Sequence, residues 1–265
     1  MDLRSDHNRE DMHMGKYNSS IYRVRPLMEQ VEGNQQNFLG LLALVGIGPL
    51  GVPQMYRYEG KPCGEMQLKP SKKHLLALID YIAKKDHSDC AVKGGDRLAL
   101  FFGDRPDRER ARRKARAELN AHYDELSPAS RPWYLFEGFT NPDIYIEGED
   151  YVVVCEGKWT ESHITTTTTY LSDKGEYRSQ MVRHIQGALN HTGKKVYAFY
   201  IADADCGYTD DLSKKQLQLQ LDRETIRLDD AEKKAILDSF YGYTTWQEIK
   251  AMIPEVVFKG KQEID

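Results

Sequence analysis

Apolar positions recur along the chain first with a helical period and later with a two-residue period, and Gly/Pro clusters mark the changes. Residues 1–20 are polar, show no periodicity and predict a loose arm. From Tyr22 a helical pattern runs through Leu27, Met28, Val31, Phe38, Leu41, Leu42 and Val45, until Gly46, Gly48, Pro49, Gly51 and Pro53 stop it. Met55–Tyr58 reads as a short strand. Ser71–Lys85 predicts an amphipathic helix, with Ser71 as its cap and Leu75, Leu76, Leu78, Ile79 and Ile82 inward. Gly94-Gly95 then turns the chain into Arg97–Phe102, an apolar segment whose type the pattern leaves open. Arg108–Leu126 is rich in helix formers, with Ala or Leu at 111, 115, 119 and 126. Pro128 and Pro132 end it.

Beyond Pro132 the pattern shortens. Trp133–Phe139 is aromatic-rich and reads as the first strand of a sheet. Asp143–Glu147 and Tyr151–Lys158 are crowded with Ile and Val, and Gly148-Glu149-Asp150 separates them as a hairpin requires. Alternation in the second strand puts Val152, Val154, Glu156 and Lys158 on one face, and Val153, Cys155 and Gly157 on the other. The threonine run that follows is too polar for a core and suits an extended loop or an edge strand. Glu176–Asn190 predicts a helix with Met181, Val182, Ile185, Ala188 and Leu189 as its stripe. Val196–Ile201 has the make-up of a buried strand that pairs in parallel after a crossover helix. Leu212–Leu228, Asp229–Phe240 and Thr245–Ile253 predict three further helices, the last stopped by Pro254. The expected organisation is a mostly helical or looped region at 1–104, a core at 105–210 and a helical extension at 211–265, in the α+β (α/β) class.

Composition narrows the class. With 265 residues, 40% hydrophobic and 29% charged, the chain is expected to be globular and soluble. No apolar run nears the roughly 20 residues of a membrane span, and the first residues are too polar for a signal peptide, so the expected setting is cytoplasmic. The four cysteines contain no C-x-x-C pair and fit free thiols better than a disulfide framework. Gly46–Gly51 lacks the Lys-Ser/Thr of a phosphate-binding loop. A net charge of −4 does not advertise nucleic-acid binding, which would then rely on a local patch. Arg105–Arg116 offers one, with seven Lys/Arg against two acids. It reads either as a solvated helix face with paired charges or as a phosphate-contacting surface.

The chemistry concentrates in the hairpin. Asp143, Glu156 and Lys158 interrupt an apolar ribbon, and charges there are costly unless paired or bound to metal. Pro142-Asp143, a spacer of 12 residues, and Glu156-Gly157-Lys158 closing a Val-rich strand resemble the signature of the PD-(D/E)XK nuclease superfamily. The resemblance covers about Arg108 to Asp203. It implies a restriction-endonuclease-like αβββαβ core, with a central mixed sheet flanked by helices. It also implies hydrolysis of phosphodiester bonds with Mg²⁺ or Mn²⁺, with Asp143 and Glu156 as ligands and Lys158 orienting the attacking water. Relatives often donate a further carboxylate from the helix before the first strand; Glu118 is the candidate here and Glu125 the second choice.

On the next core helix some members carry a Gln and a Tyr four residues apart. Gln180 matches, and His184 stands where the Tyr would be. Arg178, Gln180, Arg183, His184 and Trp159 are the substrate-binding candidates. The iron–sulfur cluster of some relatives does not suit Cys155, which faces away from Glu156. The family implies DNA as partner, a homodimer for double-strand cleavage, and a restriction, defence or phage setting. Two other readings use the same residues: a nucleic-acid-binding or scaffold domain that does not cleave, and a surface hairpin with an ordinary Glu/Lys pair.

Overall fold

The computed structural model describes residues 20–82, 105–130, 132–158, 178–207, 209–223 and 228–258. A π-helical turn at Ser20–Val24 leads into α1 (Arg25–Val31) and α2 (Gln35–Leu44), the latter capped by the Asn34 side chain. Strand β1 (Met55–Tyr58) and helices α3 (Lys72–Ile82) and α4 (Pro106–His122) follow. The predicted hairpin is β2 (Ile144–Glu147) and β3 (Tyr151–Gly157), and α5 (Gln180–His191) crosses to β4 (Lys195–Ala202). A short 3-10 turn at Thr209–Leu212 precedes α6 (Lys214–Arg223) and α7 (Asp230–Ser239), then β5 (Phe240–Thr245) and α8 (Trp246–Met252). No helix among the described residues is long and apolar enough to cross a membrane.

The fold is α+β, built on an open mixed sheet of five strands in the order β1-β2-β3-β4-β5. β1, β2 and β3 pair antiparallel; β3, β4 and β5 pair parallel. The sheet draws one strand from the first 104 residues, three from 105–210 and one from the C-terminal stretch. Strand alternation divides the core as the pattern requires. Tyr151, Val153 and Cys155 join α1, α2 and α8 on one face, and Val152 and Val154 join α5, α6 and α7 on the other. All seven residues of β3 are buried, as expected of a strand flanked on both sides and covered on both faces. A third cluster, apart from the sheet, packs α3 and α4 over Tyr134 and Phe136.

Two expectations are corrected. Trp133–Phe139 is not the first strand: that place belongs to β1, far upstream, which pairs with β2. Pro132 has no N–H to donate, and Tyr134 and Phe136 are buried against α3 and α4. Just beyond this segment the chain makes a single antiparallel bridge, Leu68 to Thr140. The C-terminal stretch is not purely helical either, since Phe240–Thr245 forms the strand on the outer edge of β4.

Candidate active site

β3 lies between antiparallel β2 and parallel β4, and the polar side chains gather at its C-terminal end. Glu156, Lys158 and Asp143 are 3%, 7% and 8% exposed, so three charges sit nearly out of water at one strand end. Glu156 is the hub. Its Oε1 accepts from Lys158 Nζ at 2.9 Å and from Gln180 Nε2 at 2.6 Å, and its Oε2 lies 2.9 Å from His184 Nε2. Gln180 Oε1 in turn accepts from Lys158 Nζ at 3.0 Å. Burial alone would raise the Glu156 carboxyl, but Lys158 and His184 hold it down, at about 2. His184 is lowered too: burial pulls its imidazole down against the opposing pull of Glu156. Thr140 Oγ1 meets the remaining ring nitrogen, Nδ1, at 2.8 Å.

Asp143 approaches from the other side of β3. Its Oδ2 accepts the Gly157 backbone N–H at 2.8 Å, one peptide bond from Glu156. Gly157 is small for a reason: a Cβ there would come within 3.0 Å of Val24, 3.1 Å of the Trp246 ring and 3.4 Å of Asp143 Oδ2. Burial, Asp143 and Glu156 together push the Cys155 thiol well up, which agrees with two carboxylates standing close by. The backbone of Lys158 is fixed at both ends. Its N–H donates to Ile201 O at 2.7 Å, and its carbonyl accepts from Trp246 Nε1 at 2.8 Å.

The structure therefore brings together Asp143, Glu156, Lys158, Gln180 and His184. Other sequence candidates lie elsewhere. Glu118 accepts from Trp133 Nε1 at 2.8 Å and sits 3.6 Å from Lys114, among the α3–α4 contacts. Glu125 pairs with His122 at the end of α4. Arg178 and Arg183 are buried and turned toward Glu137, so neither guanidinium is offered at a surface. Trp159 lies outside the described residues.

Sequence reasoning misses Thr140 and Glu65, and it reads Glu137 as an edge-strand acid facing solvent, whereas Glu137 is buried. Thr140 and Glu137 arrive on the strap before β2, and no local pattern marks them. Glu65 follows β1 and sits half-buried beside Asn141; burial, Glu59 and Glu156 push its carboxyl up to about 7. The Leu68–Thr140 bridge, with N–H donated in both directions at 2.8 and 2.9 Å, draws that loop alongside Asn141 and Asp143. Only this long-range pairing reveals it.

As a donor set, the two close carboxylates suit a hard cation that keeps several of its own waters. No group of three or more His, Cys, Asp or Glu able to hold a metal is present among the described residues. Comparison of the chain with protein-family models, with curated proteins and with solved structures finds no match.

Proposed function

We propose that the chain is a metal-dependent nuclease that hydrolyses phosphodiester bonds of nucleic acid, DNA by the family resemblance. The observation that carries this reading is the buried strand end where Glu156 holds Lys158 while Asp143 binds the amide of the next residue. A fold does not keep three charges below a tenth exposed for packing alone, because an apolar strand end would cost less. Asp143 and Glu156 would hold Mg²⁺ or Mn²⁺; when bound, such an ion lowers the pKa of its water and steadies the leaving oxygen. Lys158, held at fixed distance by Glu156 and Gln180, orients the attacking water and offsets charge that develops on the phosphate. His184 and Gln180 keep the Glu156 carboxylate in one orientation. The antiparallel β1, β2 and β3, the crossover helix α5 and the parallel β4 are compatible with such a core, but α4, the helix expected before the first strand, falls between β1 and β2.

A second reading, a nucleic-acid-binding domain that does not cleave, draws on the same contacts. Both oxygens of Glu156 already have partners, and among the described residues no group of three or more ligating side chains forms. The deciding experiment is cleavage of supercoiled plasmid and single-stranded DNA in Mg²⁺, Mn²⁺ or EDTA, with Lys158→Ala and Asp143→Ala beside the wild type. The nuclease reading expects metal-dependent cutting that falls by about 10²–10⁴ in each variant. DNA binding without cutting in the wild type selects the second reading, and equal cutting by all three proteins places the activity outside this hairpin.

A further inference from the structure

The strap that enters β2 sends three polar side chains inward: Glu137, Thr140 and Asp143, exposed by 1%, 6% and 8%. Glu137 and Thr140 are gripped from α5, and Asp143 from β3. Glu137 Oε1 accepts from Arg178 Nη1 and lies 3.3 Å from Arg183 Nε, while its Oε2 is 3.1 Å from His74 Nε2 on α3. Arg178 also donates to the Gln186 side chain on α5. Arg183 Nη2 reaches past the carboxylate to the strap's own backbone, donating to the carbonyls of Gly138 at 3.1 Å and Phe139 at 3.4 Å. Three residues on, Thr140 meets His184 of the same helix, and three further on Asp143 meets Gly157 of β3.

A carboxylate this far from water stays ionised only where cations face it. Burial would raise the Glu137 carboxyl, yet Arg178, His74 and Arg183 hold it well below the usual carboxylate range. An apolar side chain could fill the same volume. It could not set register, because the paired charges and the two carbonyl bonds fix which strap residue faces which turn of α5.

We infer that Glu137 is a positioning residue of the candidate active site: its ion-pair cage sets the strap that delivers Asp143 against the helix that delivers Gln180 and His184. The inference rests on the site reading proposed above, and its test separates the two. Glu137→Gln keeps the shape and removes the charge. Leu42→Ala, which opens a cavity in the cluster of α1, α2 and α8, a cluster that contains no strap residue, is the control for ordinary loss of stability.

Hydrogen exchange on the full chain is read first. In Glu137→Gln the amides of 138–143 and 180–184 are expected to lose protection together, whereas Leu42→Ala spares both segments. Mn²⁺ affinity, measured by electron paramagnetic resonance, is expected to fall by about 10- to 100-fold in Glu137→Gln and to hold in Leu42→Ala. Unchanged protection in Glu137→Gln, or equal losses in both variants, overturns the inference. Absence of Mn²⁺ binding to the wild type overturns the metal reading instead, and the exchange result still decides the role of Glu137. If Glu137→Gln does not fold, His74→Gln, which keeps both guanidinium partners, is read by the same two measurements and should move the same segments by less.

Discussion

His184 shows how far a single side chain can be specified by its surroundings. Its ring is buried and its pKa lies below the ordinary value, so it is neutral at pH 7. Glu156 as a carboxylate can only accept, so the one ring proton belongs on Nε2, and the Thr140 hydroxyl must donate to Nδ1. Removing that hydroxyl as Thr140→Val leaves a buried ring nitrogen without a donor. The expected loss is about 1–3 kcal/mol of unfolding free energy, read from urea denaturation at pH 7. His184→Phe strips Glu156 Oε2 of its donor instead and should cost as much or more, with the Glu156 carboxyl moving upward. A wild-type denaturation midpoint in both variants would mean that the Thr140–His184–Glu156 chain stabilises nothing.

Gly157 and Trp246 connect that chemistry to the elements that carry it. The Trp246 indole donates to the Lys158 carbonyl from the start of α8, and its ring borders the space where a Gly157 side chain would stand. Gly157→Ala would push the Trp246 ring and Val24 away from β3, and Asp143 Oδ2 lies only a few tenths of an ångström further out. We expect about 1–3 kcal/mol of destabilisation with loss of metal-dependent cleavage, followed by thermal unfolding and plasmid nicking. Full activity with an unshifted melting temperature would show that the strand end tolerates the methyl group.

None of this tie to α8 is legible locally. The hairpin and α5 can be read from sequence because period, turn residues and length agree. β5 cannot, since Phe240–Thr245 abuts α7 and α8 with no turn cluster on either side. Trp133–Phe139 misleads for a different reason: aromatic residues signal burial, and here α3 and α4 supply it without a strand of the sheet. Asp143, Glu156 and Lys158 stand out as charges on an apolar ribbon. Glu65, Glu137 and Thr140 look ordinary until the tertiary fold brings them in.

Across the whole molecule these buried groups set how stability follows pH, and their signs differ. Glu156 and Glu137 have carboxyls held below the unfolded value of 4.5, so the native state binds fewer protons than the unfolded chain, and stability present above that value is lost as pH falls toward 2. His184, lowered from 6.5, works in the same direction: stability drains away as pH drops below 6.5 and the unfolded imidazole charges first. Glu65 opposes them. The native state keeps its proton up to about 7 while the unfolded chain gives it up from 4.5, so its contribution is full below 4.5 and disappears as pH rises through 7. The opposing slopes predict a stability maximum in mildly acidic solution, bounded by an acid limb and a shallower neutral one. Glu65→Gln should remove the neutral limb alone. Relative to the wild type it should gain stability steadily from pH 5 to pH 8, with no change in the acid limb, in urea midpoints taken at unit intervals. A constant difference between the two proteins over that range would mean that Glu65 does not titrate beside Glu156 as the fold places it.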